Sequence, residues 1–139
     1  MSHQRWGKRS TKDGLLLPDL EYDACQAVRA GNMVFLVGLT GISADSSEFI
    51  GAGDPAAQAE TAMLCVKTLL EEAGSKLEHI CKTTIYITDR TYREEVYKVI
   101  GKHLKGIHVC STGLIVKGLA RPEMVMEIDV EAIIPDNES

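Results

Sequence analysis

The sequence has no apolar run approaching the 18 or so residues needed to cross a bilayer. The positive residues of its N-terminal stretch are not followed by the seven or more apolar positions of a secretory signal. Both absences lead to the expectation of a soluble, cytoplasmic protein with no membrane partner. A basic stripe with interleaved aromatics is also missing: aromatic residues make up 5% of the chain. Arg5, Lys8, Arg9 and Lys12 lie in the first twelve residues with no acid, which leaves 11 basic against 20 acidic side chains in the remainder. An acidic body repels phosphate backbones, so no nucleic-acid partner is expected. Cysteine is sparse: Cys25, Cys65, Cys81 and Cys110 are separated by 40, 16 and 29 residues, with no CxxC pair and no clustered histidines. That spacing gives no zinc site, and free, mostly buried thiols of a reducing compartment are expected in place of disulfides. No GxSxG elbow is present, so no nucleophile triad can be assigned.

Repeats, low-complexity tracts and interdomain breaks are absent as well, and 139 residues form one domain, with residues 1–14 expected as a flexible arm. Within it, "ACQAVRAGNMVFLVGL" holds two β-prone runs around Ala30-Gly31-Asn32, the signature of a hairpin. The second run is apolar at nearly every position, so both of its faces need cover. Asp54-Pro55 caps and starts a helix whose apolar stripe, Ala62, Met63, Val66, Leu69, Leu70 and Ala73, ends at Gly74. "CKTTIYITD" is a strand over about 81–88, and Thr91 with Glu94 fits a capping box opening a second helix to about Leu104. "STGLIVKG" and "EMVMEIDVEAII" are the last strands. The order β-β-α-β-α-β-β defines an α+β class, a mixed sheet with two helices on one face. Its other face needs a partner, and subunits of the same chain are the simplest supply.

The final strand raises the chemical question. Met124, Met126, Ile128, Val130 and Ala132 are apolar, while Glu127, Asp129 and Glu131 share the opposite face. That acidic face is either simply wet or lines a cleft where partial burial raises a carboxyl pKa and lets it pass protons. Two stretches are candidates to meet it. His108, Val109, Cys110, Ser111 and Thr112 bring a thiol and two hydroxyls; in Val37-Gly38-Leu39 the glycine permits close backbone approach to a ligand, although a tight bend explains it equally well.

"VFLVGLTG", "QAETAMLCVKTLLEEAGSKLEHICKTTIYITD" and "MVMEIDVEAI" together resemble the Rid (reactive intermediate deaminase), or YjgF-like, family over residues 24 to 134. The resemblance implies a chorismate-mutase-like fold and a homotrimer with three sites in the clefts between subunits. It further implies hydrolysis of enamine or imine intermediates, such as 2-aminoacrylate, to the keto acid and ammonia, with no metal and no organic cofactor. The family's glutamate is matched by Glu127, but its substrate-carboxylate arginine falls on Ser111, its "SGQ" serine on Val37, and its second-helix asparagine on Tyr97. A serine hydroxyl offers one neutral hydrogen bond where a guanidinium offers a charged fork. The expectation is therefore a divergent member whose pocket suits a neutral, cationic or bulkier substrate. Glu127 would transfer protons, and Ser111 or Thr112 would hold a polar atom of the small-molecule substrate or the attacking water. Val37, Gly38, Leu39, Tyr86, Tyr97, Cys110 and His108 would line the pocket. Arg121, at a turn, reads as a surface charge. The alternative is a non-catalytic ligand-binding or regulatory trimer of the same fold. The ribonuclease or chaperone activities ascribed to some relatives sit poorly with the acidic body.

Overall fold

In the computed structural model, which describes residues 2–10, 22–43 and 48–138, ten elements follow the chain. They are β1 (Gln4–Trp6), β2 (Arg9–Ser10), β3 (Asp23–Ala24), β4 (Ala27–Ala30), β5 (Met33–Leu36), α1 (Pro55–Glu72), β6 (Ile80–Ile87), α2 (Arg93–His103), β7 (Cys110–Ile115) and β8 (Met126–Ile133). From β4 onward the order is the β-β-α-β-α-β-β read from the sequence. The six-stranded sheet is ordered β1-β4-β5-β8-β6-β7, while β2 and β3 form a separate short ladder. β8 enters between β5 and β6, antiparallel to both, and β6 pairs with β7 in parallel. The last two strands are therefore not neighbours, and β7 is an edge.

Gly31 adopts φ 62°, a conformation glycine reaches without Cβ strain, and reverses β4 into β5. Asp54 accepts a 3.1 Å bond from the Ala57 amide, Pro55 occupies the first turn, and Gly74 at φ 82° follows the end of α1. Arg29 on β4 donates to the Ala73 carbonyl at 3.1 Å and ties this helix end to the sheet. Both helices pack on one sheet face. Ala62, Met63, Val66 and Leu70 of α1 and Val96 and Ile100 of α2 meet Val34, Ile85, Ile87, Met126, Ile128 and Val130. His103 and Glu60, 2.8 Å apart, link the two helices.

Three expectations change. In place of a flexible arm, Gln4–Trp6 adds an edge strand, Trp6 facing Ala27 in register, because Ala27–Ala30 leaves a row of backbone groups for it to pair with. Residues 11–14 of that arm lie outside the described residues. The capping box does not form: Asp89 accepts from the Thr91 amide at 2.9 Å and its hydroxyl at 2.7 Å, opening a 3₁₀ turn, Arg90–Tyr92, before α2. The shorter Asp side chain, two residues upstream, claims Thr91 first. Of the cysteines, only Cys65 is buried, while Cys81 and Cys110 are exposed and Cys25 is intermediate; none of the four is in a disulfide.

Gln58 is wholly buried and makes three hydrogen bonds. Its amide nitrogen donates to the carbonyls of Gly51 and Glu123 at 2.9 and 2.8 Å, and its oxygen accepts from the Val125 amide at 2.9 Å. One side chain thereby fixes the start of β8 to α1. Gln58→Ala removes all three bonds and leaves the buried Val125 amide without its acceptor, while the Gly51 and Glu123 carbonyls keep the amides of Asp54 and Gly53; it is expected to lower stability by about 2 kcal/mol. Urea denaturation tests this, and a loss under about 1 kcal/mol would show that water replaces the amide.

Candidate functional site

Alternation along β8 sends Met126, Ile128, Val130 and Ala132 into the core and turns Glu127, Asp129 and Glu131 to the sheet's open face. Register fixes their neighbours: Tyr86 stands opposite Glu127, Thr84 opposite Asp129 and Lys82 opposite Glu131. On β7 the same rows continue with Leu114, Thr112 and Cys110. On the other flank, the chain leaves β5, bulges by one residue and returns to β8 where Leu39 and Ile128 exchange hydrogen bonds of 2.9 and 2.8 Å. Gly38 is thereby presented to the open face: a Cβ there would lie 2.6 Å from Glu127 Oε2 and 3.2 Å from Asp129 Oδ1. A side chain at 38 would displace the Glu127 carboxylate from the place it occupies here.

Burial, reinforced by the charge of Asp129, pushes the Glu127 carboxyl above its ordinary value. The Tyr86 hydroxyl donates to Asp129 Oδ2 at 2.8 Å. That bond, with burial and the charges of Asp129 and Glu127, raises the phenol's pKa, so Tyr86 stays protonated as a donor. Further along, Lys82 Nζ donates to Thr112 Oγ1 at 2.6 Å. Phe35, Lys82, Thr84, Asp129 and Glu131 rim a shallow concavity of about 280 Å³. Exposed Met33 (41%) and Phe35 (36%) continue this face, so the β5 run that lacked a water-ready side is open here.

The open face thus carries Glu127, Gly38 and Tyr86, with Thr112 one row and Cys110 two rows away from Glu127 along the sheet. Other expected residues fall elsewhere. Leu39 is 8% exposed and belongs to the core, and Val37 packs against it partly buried. Ser111 pairs in register with buried Thr83, which turns it to the helix side of the sheet, away from Glu127. Tyr97 shares that side: its hydroxyl fills the space beside Gly113. His108, exposed at φ 60°, precedes β7 in the connection from α2. Asp129 was visible as part of the acidic face but carried no assigned role; the signal for it was its period-two spacing from Glu127, and its partner Tyr86 required the register.

A mixed sheet backed by two helices, with acids of its central strand on the uncovered side, defines a small α+β protein of the YjgF type. The family model described as Endoribonuclease L-PSP matches residues 18–134, and the chain belongs to this family, the Rid or YjgF-like proteins. Protein DfrA of Myxococcus xanthus is 32% identical over 112 residues, 81% of this chain and 84% of that protein. A RutC family protein of Aquifex aeolicus is 29% identical over 108 residues, covering 78% and 84%. Among solved structures, Rv2704 of Mycobacterium tuberculosis, a member of the YjgF/YER057c/UK114 family, superposes with a TM-score of 0.76 at 26% identity, over 96% of this chain and 100% of that one. Yeast Mmf1 superposes with a TM-score of 0.71 at 25% identity, over 79% and 86%.

The folded chain holds the Glu127 proton more tightly than the unfolded chain does. Its contribution to stability is therefore complete below the ordinary value near 4.5 and is lost as pH rises through the raised folded value. Glu127→Gln keeps the shape without this titration, so its stability relative to wild type should increase between about pH 4 and about pH 8. Urea midpoints at the two pH values measure it; a pH-independent difference would mean that the carboxyl is not desolvated.

Proposed function

We propose that this protein is a metal-independent hydrolase of the Rid deaminase type, acting on an imine, enamine or amine-bearing small catabolic intermediate in clefts between copies of a homotrimer. The observation that carries the reading is the half-buried Glu127 carboxyl lying over the bare backbone of Gly38. A carboxyl whose pKa burial has raised is a stronger proton acceptor than a free carboxylate and can return the proton it takes, which imine hydrolysis requires. In the proposed step Glu127 takes a proton from water as its oxygen bonds to the imine carbon and the C=N electron pair moves to nitrogen. The carboxyl then returns that proton to nitrogen, takes the proton of the new hydroxyl and passes it on to the amine, so that the C–N bond breaks, ammonia leaves and the carbonyl forms.

The two-sided placement of the family-matched positions supports a shared cleft. Glu127 and Gly38 face the open side, whereas Ser111 and Tyr97 are on the helix side of the edge strand. One chain cannot bring both sets to one substrate, but the edge of one copy packed over the open face of another can. Leu114 (46%), Ile115 (43%), Met33 and Phe35 are apolar surface that such packing would cover.

Within this reading Glu127→Gln removes the proton acceptor without changing shape, and ammonia release from imines generated in situ should fall by about 10²-fold or more. Sedimentation should find the assembly unchanged. A variant of full activity would end the role given to Glu127, and a monomeric wild type would end the shared cleft.

A further inference from the structure

Ser111 carries no charge, yet the helix side of β7 is strongly basic for another reason. Tyr97 reaches from α2 across the edge strand, and a Cβ at residue 113 would overlap its hydroxyl, so the ring fits only because Gly113 is bare. Arg93, one turn earlier on α2, holds its guanidinium carbon 4.5 Å from the centroid of the same ring. A guanidinium carried over an aromatic face is held by the ring without using its N–H donors on a carboxylate of the same chain. Arg90, Thr91, Glu94 and Lys98 complete an open groove of about 770 Å³, three cations against one carboxylate. Among the described residues no acid forms an ion pair with Arg93. On this same sheet face the Thr83 hydroxyl is buried without a hydrogen-bond partner, in register beside Ser111.

We propose that Arg93, held on the Tyr97 ring, forms a binding site for a small carboxylic acid and supplies from α2 the positive fork that β7 lacks at Ser111. The inference deepens the deaminase reading and rests on it for the identity of the ligand as substrate, which then carries a carboxylate as well as its nitrogen. It also revises the sequence-based expectation of a neutral pocket. The edge of the guanidinium matches the two oxygens of a carboxylate, the Tyr97 hydroxyl adds a further donor, and Arg90 and Lys98 raise the local concentration of anions. Because Arg93 and Glu127 are on opposite sheet faces of one chain, fork and proton-transfer group meet only across two copies.

Equilibrium binding separates this proposal from the chemistry. Pyruvate, a carboxylate without nitrogen, is titrated into the intact protein while the Gly113 amide and the Arg93 side-chain Nε–Hε are followed by NMR. Saturating shifts are expected in wild type, weakened on the order of tenfold or more in Arg93→Gln, with only partial recovery in Arg93→Lys, which lacks the planar fork. Gly113→Ala, which expels the ring beneath Arg93, should weaken binding as well. Gly118→Ala, built into open space, should not. Equal affinity in wild type and Arg93→Gln would overturn the proposal, as would inorganic phosphate binding more tightly than pyruvate. If Arg93-dependent binding stands while no imine yields ammonia, the deaminase reading falls and the carboxylate site survives. If ammonia release is normal in Arg93→Gln, the inference falls alone.

Discussion

The alternation of β8 is the constraint on which the rest of the structure depends. This strand is hydrogen-bonded on both sides, to β5 and to β6, and its even-numbered residues make up much of the core beneath the helices. A slip of one residue would bury three carboxylates and expose Met126, Ile128 and Val130. Core formation therefore fixes where the acids go, and the acids need no stabilising interaction of their own to be placed. Gln58 adds a second restraint at the strand's entry through its bonds to the segment 123–125. The chemistry of the open face is thus inherited from hydrophobic burial on the other side.

Two carboxylates so close together are costly unless something divides the load. Asp129 has the Tyr86 hydroxyl, whereas Glu127 is packed over Gly38 and holds its proton more strongly. The two acids thus sit in unlike surroundings, one accepting a phenol hydrogen bond and the other desolvated beside the bare backbone of Gly38. The bulge between Phe35 and Leu39 makes the arrangement possible, since it aims the single residue without a side chain at the carboxylate pair.

Local chemistry made much of the fold legible in advance. Ala30-Gly31-Asn32 predicted the hairpin and Asp54-Pro55 with Gly74 predicted the limits of α1, because each depends on residues near in sequence. What was not legible is long-range. Nothing in "STGLIVKG" states that it runs parallel to β6 as an edge, or that β8 inserts between β5 and β6. The consequence fell on the site: the pleat sends Ser111 and Thr112 to opposite faces, and only the pairing of Ser111 with Thr83 and Thr112 with Thr84 decides which of them shares the face of Glu127. The acidic face itself needed only a period of two, so Glu127 and Asp129 were readable. The edge strand Gln4–Trp6 was not, since its pairing with β4 leaves no mark in the basic composition of the arm.

The positions at 97, 111 and 113 also bear on one another physically. A tyrosine at 97 reaches the edge strand only if residue 113 has no Cβ, and once there its ring offers a platform that Arg93 occupies at i−4, a spacing helical geometry provides. A long cationic side chain at 111 would project toward the same helix side of β7 and repel Arg93. Serine at 111, glycine at 113 and tyrosine at 97 are consequently one packing solution, in which charge belongs to the helix and the strand stays small. The missing arginine, read alone, suggested a pocket without positive charge; read with the register, it marks where a different side chain has room to provide it.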